Sequence, residues 1–491
     1  MRAPWLVIAL LCAAGFWALD LAVVRGGVPH PLDDTWEYGV AARHLLAGDG
    51  WRTGVIYPPL WTLRDTANTV PVLIHGPLAP LLVAPLVGLL GPRAIDHAAW
   101  LGALFAVLCM IPLARLAERR SDAATALAAL ALWTFSPLTI AAVNHDLILT
   151  VGAFLIVAAL DLLWRPSPRA LAAGLAAGLA SLARPEAALA AAILLVSAPR
   201  RAWAPFALGF LACAAPWWLH QAQATGQPGF NLSSYLLLGY WEPYPGLSVL
   251  RDFHLTPAAW PGTLARALPG LWPKWLHFAP SAIGHALTVP TIVTGALAAV
   301  GCAVLLRDPA RAQRARVAVL LGCIPLAIIT AGEHSPRYVT PFLPLWAFAA
   351  AWGARAVFAP LAGAASRPRL WPVLLLVLAI PSTGGALSRA AREGRAAEEW
   401  LARERIALAS RANEADSTGG PPAQGADRRL VFTDTPDFVA WTTGRPTVWV
   451  TRDEYARLPL AGAGPAPDGT ASAVRGAGED VWFHTRMPGE P

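Results

Sequence analysis

Apolar stretches of about 20 residues, rich in Ala and Leu, recur along most of the chain between short polar or charged segments. A helix needs about 20 such residues to cross the roughly 30 Å hydrocarbon core of a membrane, so the pattern predicts about eleven transmembrane helices. The predicted ranges are 4–24, 97–116, 122–142, 147–163, 170–183, 187–198, 203–220, 285–306, 317–331, 339–358 and 371–387. The short ranges 170–183 and 187–198 can also form one bent pair, so the count is open by one or two.

Two further features of the apolar pattern need their own interpretation. The first segment follows Arg2 as a signal peptide would. No persuasive cleavage site follows it and more spans do, so we expect a retained anchor. The apolar segment 77–91 is only about 15 residues long, which favours an interfacial or re-entrant helix over a span.

The composition supports the same class of protein. Of 491 residues, 56% are hydrophobic and only 14% are charged, and the mean hydropathy is +0.47. Soluble domains carry roughly a quarter charged residues. We therefore predict an all-α polytopic membrane protein. The net charge of +7 does not indicate a nucleic-acid partner, because the arginines are dispersed. The five cysteines lie in apolar segments without metal-site spacing, which excludes a disulfide framework: Cys12, Cys109, Cys213, Cys302 and Cys323.

Arginine clusters predict the orientation, because cytoplasmic loops of membrane proteins carry an excess of basic residues. Five arginine-bearing loops fall on the same side as the N-terminus, at 115–120, 165–169, 200–201, 307–316 and 367–369. The sequence therefore predicts a multi-pass protein of the cell inner (plasma) membrane with a cytoplasmic N-terminus. The extracytoplasmic face would receive the first outer loop 25–96, the large outer loop 221–284 and the C-terminal tail.

The tail, 388–491, is predicted to be a small extracytoplasmic α/β domain attached to a transmembrane domain over 1–387. Its first part, Arg392 to Ala412, is charged and has the spacing of an amphipathic helix. A Gly- and Pro-rich linker follows. Beyond it the pattern predicts a strand over 429–433, a short helix over 437–441 and a second strand over 447–450.

Most groups that could carry chemistry lie on the predicted outer face. Asp33 and Asp34 follow the first span closely. A carboxylate at the membrane edge can stay ionised and face a pocket closed off from bulk water, which suits a general base or a metal ligand. A solvated loop acid is the plainer alternative. The other groups on this face are Glu37, His75, His145, Asp146, Arg184, Glu186, Glu242, His254, Glu333, His334 and Arg337.

These residue types favour one kind of reaction. Carboxylates can serve as bases, and arginines can hold a phosphate through two parallel hydrogen bonds. Such a set would suit group transfer from a lipid phosphate carrier to a hydroxyl.

The stretch from Asp33 to Trp51 resembles the first outer loop of the GT-C glycosyltransferases. It is most similar to the bacterial branch related to protein O-mannosyltransferases and to the aminoarabinose transferases of lipid A. In that family an acidic pair precedes an amphipathic helix that lies along the membrane. Further segments resemble family elements in the same order: His75-Gly76-Pro77-Leu78, Gly174 to Glu186, Ala215-Pro216-Trp217-Trp218-Leu219, Arg337 to Pro344, and Asp434 to Trp449.

The resemblance implies a glycosyltransferase of the cell envelope, either a hexosyl- or a pentosyltransferase. It would take a sugar from a polyprenyl phosphate and attach it, outside the cytoplasm, to a lipid, glycan or protein acceptor. Asp33 would be the general base that removes the proton of the acceptor hydroxyl, and Asp34 would assist it. The remaining candidates are Arg337, His334 and His75 for the donor phosphate, and His145 with Asp146 for a second acidic site.

The candidates also have structural interpretations. Asp34 suits the N-cap of a helix at 35–46, and Asp146 suits the N-cap of the span 147–163. Arg337 could be an interfacial arginine whose head group reaches water. Arg184 is expected to pair with Glu186.

Two questions stay open at the level of sequence. The sequence does not decide whether the protein uses a metal: a divalent cation would suit Asp33, Asp34 and Asp146 as ligands. A transporter or flippase of lipid-linked precursors is the alternative function, and it predicts paired charges in mid-span and internal repeats. A scaffold that binds partners through its tail is a third. The sequence has few charges within spans and no repeat, which favours the glycosyltransferase.

Overall fold

The computed structural model describes residues 3–25, 34–288, 291–307, 312–331, 335–361, 370–417, 430–433, 435–443, 445–451 and 480–481. The chain divides into two compact units. Unit 1 comprises Met1–Gly26, Ala99–Trp217 and Leu271–Ala391. Unit 2 comprises Gly27–Ala98, Trp218–Gly270 and Arg392–Pro491.

The described residues are mostly helical. The helices are α1 (Ala3–Leu19), α2 (Thr35–Ala47), α3 (Leu78–Leu90), α4 (Ala98–Arg120), α5 (Ala123–Thr134), α6 (Pro137–His145), α7 (Leu147–Leu163), α8 (Ala170–Ala183), α9 (Ala187–Ser197), α10 (Trp203–Thr225), α11 (Trp260–Thr288), α12 (Ile292–Arg307), α13 (Ala312–Ala331), α14 (Leu343–Leu361), α15 (Leu370–Ser417) and α16 (Pro436–Thr443). The strands are β1 (Arg52–Thr53), β2 (Val55–Ile56), β3 (Val70–Pro71), β4 (Val431–Thr433), β5 (Thr447–Trp449) and β6 (Asp480–Val481).

Most of the predicted spans are helices of unit 1, but two of them are interrupted. The span predicted over 122–142 is wrong as a single helix, because it bends by 49° between α5 and α6. Pro137 is the cause, since proline has no N–H to donate into the preceding turn. The span predicted over 285–306 is also divided, because α11 ends at Thr288 and α12 begins at Ile292.

Only some described helices could cross a membrane on their own. Pro4–Ala22, Ile95–Arg119 and Arg200–Thr225 are long and apolar enough, and the bent pair α5–α6 would make a fourth. Shorter apolar helices include α7, α8, α9 and α12. The predicted segment 77–91 forms α3, a helix of 13 residues. The count of about eleven spans stays a prediction.

Glycines allow close helix contacts in unit 1. A Cβ on Gly174 of α8 would overlap the backbone carbonyl of Phe206 in α10, and one on Gly209 would overlap the carbonyl of Leu171. Membrane helices that pack through small residues approach each other backbone to backbone. The Gly-rich sequence of α8 is therefore a packing surface against α10.

Unit 2 contains a four-stranded parallel sheet with the strand order β2-β5-β4-β6. β2 comes from the segment 25–96, whereas the other three strands come from the tail. Val55 is paired with Thr447, whose N–H donates to the carbonyl of Gly54 at 2.7 Å. A second sheet pairs β1 with β3 in antiparallel orientation. The predicted strand–helix–strand order of the tail is present in β4, α16 and β5.

The core of unit 2 joins α2 to α16. Phe438 is fully buried, and its ring meets Trp36 at 5.4 Å and Trp400 at 5.3 Å between centroids. Arg43 lies over the ring of Trp441 at 4.2 Å. The boundary predicted at residue 388 lies inside the continuous helix α15, and the tail from Arg392 shares unit 2 with Gly27–Ala98 and Trp218–Gly270. Its extracytoplasmic location stays a prediction.

Candidate functional site

The predicted acidic pair lies where α2 begins. Asp33 lies outside the described residues. Asp34 occupies the N-cap position, but its backbone is helical and its side chain makes no capping hydrogen bond. The interpretation of Asp34 as a side-chain cap is therefore wrong, since capping needs an extended backbone that aims the carboxylate at the free N–H groups. Its carbonyl oxygen accepts from the N–H of Tyr38 at 3.1 Å.

Glu37, one helical turn after Asp34, is the centre of a buried polar group. Its side chain is only 2% exposed. The hydroxyl of Tyr57 donates to Oε2 at 2.8 Å, and Nε2 of His75 lies 3.2 Å from the same oxygen. Oε1 is buried and has no hydrogen-bond partner among the described residues. A buried carboxylate with one open oxygen can still accept a proton or a hydroxyl hydrogen bond.

Aromatic contacts fix the two partners of Glu37. Tyr57 directly precedes a 3₁₀ helix, Pro58–Leu63, and its ring meets Trp449 edge to face at 5.5 Å. His75 lies just before α3, and its ring meets Tyr38 edge to face at 5.1 Å. These contacts hold the phenol and the imidazole on one oxygen of Glu37.

Asp437 joins this group from the first turn of α16. Burial raises its pKa well above the usual value, the charges of Glu37 and Asp34 raise it further, and His75 lowers it. Burial and the same carboxylates also raise the pKa of Tyr57. Asp437 Oδ1 is buried without a hydrogen-bond partner among the described residues. We call Asp34, Glu37, His75, Tyr57 and Asp437 the carboxylate cluster.

The carboxylate cluster has a simple electrostatic property. Like charges brought together in a poorly solvated place disfavour full ionisation, so such a group tends to hold a proton in common. The raised pKa of Asp437 is one expression of this effect. Asp437 is therefore the member of the cluster that holds a proton more readily than an isolated carboxyl group does.

A second group of charges lies in unit 1, at the predicted second acidic site. Asp146 is 4% exposed and caps α7, because its Oδ1 accepts from the N–H of Ile148 at 3.3 Å. Its Oδ2 lies 3.8 Å from Nη1 of Arg184. The cap interpretation is confirmed, and the same carboxylate also faces a buried arginine. His145 precedes it at the last turn of α6 and is half-buried.

Arg184 connects this carboxylate to the late Arg-Tyr element. Its Nε donates to Oε1 of Glu186 at 2.6 Å, which confirms the predicted pair. Its guanidinium lies over the ring of Tyr338 at 4.7 Å, and that of Arg337 lies 5.7 Å from the same ring. We call Asp146, Arg184, Glu186, Arg337 and Tyr338 the arginine cluster. His334 lies outside the described residues.

The structure brings some of the predicted site residues into contact, and it places further residues beside them that were not predicted. It brings Asp146 to Arg184, and it brings Arg337 to the ring of Tyr338, over which Arg184 also lies. It also pairs His75 with Glu37. Sequence reasoning missed Tyr57 and Asp437. For Tyr57 the local signal was the Pro58-Pro59-Leu60 segment that directly follows it. For Asp437 no local signal pointed to Glu37.

Metal ligation has no support from the described part of the chain. Among its His, Cys, Asp and Glu side chains, no group of three or more could hold a metal ion. Asp33, one of the predicted ligands, was not part of that set.

Comparisons with known proteins extend this picture. No protein-family model and no curated protein matches the sequence. Solved structures do match. The oligosaccharyltransferase AglB from Archaeoglobus fulgidus, solved with an inhibitory peptide and a dolichol-phosphate, is 14% identical with a TM-score of 0.55 over 91% of this chain. This chain spans 64% of the length of AglB.

The second match is ArnT from Cupriavidus metallidurans. Its apo structure is 14% identical with a TM-score of 0.55, and it covers 92% of this chain and 86% of ArnT. The structure of ArnT bound to undecaprenyl phosphate gives a TM-score of 0.53 at 14% identity over 92% of this chain and 87% of ArnT. Both proteins are GT-C glycosyltransferases, which are polytopic membrane proteins. The chain therefore has the fold of the GT-C glycosyltransferases, as its outer-loop sequences predicted.

Proposed function

We propose that the chain is a membrane glycosyltransferase that takes a sugar from a polyprenyl-phosphate donor. The acceptor is a hydroxyl of a lipid, a glycan or a protein at the extracytoplasmic face of the inner membrane. The fold supports this proposal over more than 90% of the chain. So do the lipid phosphates with which AglB and ArnT were solved, dolichol-phosphate and undecaprenyl phosphate.

The observation that carries the proposal is the carboxylate cluster at the start of α2. Sugar transfer to a hydroxyl requires a base that takes the hydroxyl proton as the oxygen bonds to the anomeric carbon. We assign this role to Asp33, which directly precedes Asp34 in the sequence. The buried oxygens of Glu37 and Asp437 belong to the same cluster as Asp34 and offer places for the released proton.

The departing group in this reaction is a lipid phosphate, which leaves with additional negative charge. Guanidinium groups suit such a charge because they are always protonated and can donate two parallel hydrogen bonds. We assign phosphate binding to Arg337, and we retain His75 and His334 as candidates. Arg184 already serves Glu186 and Asp146, which favours a positioning role for it.

The test is transfer from a polyprenyl-phosphate sugar in proteoliposomes that contain the Asp33→Asn variant. We expect loss of about 100-fold or more in the transfer rate, the usual contribution of a general base. Glu398→Gln is the matched control, since Glu398 is an exposed acid of α15 in the same unit. Transfer by Asp33→Asn at the wild-type rate would remove Asp33 from the mechanism. Movement of the lipid-linked sugar without any transfer would favour a flippase.

A further inference from the structure

An open cavity of about 380 Å³ lies in unit 2, at the opposite end of α2 from Glu37. Glu37 and the last residue of α2, Ala47, are ten residues apart, which corresponds to about 15 Å of helix. The volume is within the range of small-molecule sites in proteins. The cavity is therefore a place separate from the carboxylate cluster.

The turn after α2 directs polar side chains towards this cavity. Gly48 follows the last residue of α2 as its C-cap, and its positive φ of 86° reverses the chain; Gly50 has a similar φ of 77°. Asp49, Trp51 and Arg52 then line the cavity. The antiparallel pairing of β1 with β3 fixes this segment, and the N–H of Val72 donates to the carbonyl of Trp51 at 3.0 Å. The lining is thus held by backbone structure.

The last turns of α10 supply the facing side of the cavity, through His220 and Gln223. Together the lining offers one indole ring, hydrogen-bond donors and hydrogen-bond acceptors. An indole presents a flat apolar face, and the carboxylate, amide and imidazole supply both senses of hydrogen bond. A sugar ring has matching chemistry, with an apolar C–H face and an edge of hydroxyls that both donate and accept.

The charges in the cavity argue against a phosphate ligand. Arg52 is already engaged, because its Nε lies 3.0 Å from Asp65 and 2.6 Å from the hydroxyl of Thr69. Its Nη2 donates to the carbonyl of Thr69 at 2.7 Å. Asp49 adds a carboxylate 2.8 Å from His44. The charge of Arg52 is balanced by Asp65, and Asp49 adds a second negative charge to the lining. The cavity therefore has no net positive charge that would attract a phosphate.

We propose that this cavity binds a neutral saccharide unit of the acceptor, with Trp51 as the stacking surface and Gln223 as a hydrogen-bonding group. The inference rests on the proposed glycosyltransferase function, and it selects a glycan-bearing acceptor among the three classes. Because the cavity is about 15 Å along α2 from Glu37, it contacts a sugar of the acceptor other than the one that is modified.

The test measures binding to the purified full chain in lipid nanodiscs without any donor. The probes are methyl α-mannopyranoside, methyl β-galactopyranoside, methyl α-arabinofuranoside and inorganic phosphate, followed by saturation-transfer NMR and titration. Trp51→Ala should weaken binding of a glycoside about tenfold or more, the usual effect of truncating a central aromatic contact. Gln223→Ala, at an exposed position that tolerates change, should weaken it several-fold.

Two variants of the same residue types serve as controls. Trp272→Ala removes a tryptophan that is 65% exposed on α11, and Gln227→Ala removes an amide close to α10 that does not line the cavity. Both should bind the glycoside as the wild type does. Equal binding by all four variants, binding of phosphate in place of glycosides, or binding of no glycoside would each overturn the inference.

The outcome separates this inference from the proposed function. Glycoside binding that depends on Trp51 and Gln223, in a protein that transfers no sugar from any polyprenyl phosphate, would support the saccharide site and contradict the enzyme. Sugar transfer with an unchanged KM for the acceptor in Trp51→Ala and Gln223→Ala would support the enzyme and contradict the site.

Discussion

Replacement of Asp437 by asparagine should make the stability of the protein less dependent on pH. Asp437 is a carboxyl whose pKa is raised well above its ordinary value of 3.8 by burial and by the charges of Glu37 and Asp34, with His75 opposing. Tyr57, the other titratable neighbour in the carboxylate cluster, donates to Glu37. Asparagine keeps the shape of the side chain and removes its ionisation.

The direction follows from proton linkage. Between about pH 4 and its raised pKa, Asp437 is protonated in the folded protein and ionised in the unfolded chain. The folded state therefore binds more protons, and the free energy of unfolding falls as the pH rises. One proton corresponds to about 1.4 kcal/mol for each pH unit. An asparagine side chain cannot titrate, so Asp437→Asn should be more stable than the wild type at neutral pH, and the difference should shrink towards pH 4.

The assay is the midpoint of thermal unfolding of the detergent-purified protein between about pH 4.5 and pH 8, recorded for wild type, Asp437→Asn and Glu398→Gln. Glu398 is an exposed acid in the same unit, so its variant should follow the wild-type profile at every pH. The wild-type midpoint should fall with rising pH relative to that of Asp437→Asn. Parallel profiles for these two proteins would refute the placement of Asp437 in a field of like charges.

Three other substitutions test individual contacts. Tyr57→Phe leaves the carboxylate of Glu37 without its 2.8 Å hydrogen bond, so it should lower stability by about 1–3 kcal/mol, seen as a lower unfolding midpoint. Gly174→Ala should reduce the yield of folded protein by forcing α8 away from α10, whereas Gly270→Ala, where a Cβ meets open space, should not. Arg184→Gln removes the cation that faces two largely buried acids and should cost about 3–5 kcal/mol, measured as a loss of thermal stability at neutral pH.

The helices of this fold could be predicted from the sequence because a membrane fixes their length and composition. The ranges 147–163 and 170–183 coincide with α7 and α8. Local pairs were also predictable, as Arg184 and Glu186 show, since two residues close in sequence need little help from the fold to meet. The bend before Pro137 was available from the sequence in principle, but apolar periodicity continues across it and conceals the break.

The carboxylate cluster could not be predicted from the sequence, because it depends on contacts between residues that are far apart in the chain. Glu37 on α2 and Asp437 on α16 come together in a unit whose strand β2 has only two residues, too short for any alternation of polar and apolar positions. The pairing of β2 with β5 joins parts of the chain nearly 400 residues apart. Such contacts depend on packing of the whole unit and leave no periodic trace in either segment.

The packing around the cluster explains how it persists. Two acids close together oppose folding of unit 2, so neighbouring contacts must offset their repulsion. Phe438, the residue after Asp437, is fully buried against Trp36, the residue before Glu37. Full burial of one such aromatic side chain contributes about 1.5–3 kcal/mol, and the aromatic pair adds about 0.5–1.5 kcal/mol.

These contributions offset part of the cost of a like-charge contact, which amounts to about 1.4 kcal/mol for each unit of pKa shift. Phe438 and Trp36, whose packing holds Asp437 in place, are thus direct sequence neighbours of the two acids that repel each other. A sequence selected for stability alone would have little reason to place Glu37 and Asp437 together, since uncharged residues would pack there at lower cost. Such a conflict between local electrostatics and the overall fold is expected at functional sites. The unfavourable pairing of Glu37 with Asp437 therefore favours a catalytic role for the residues at the start of α2.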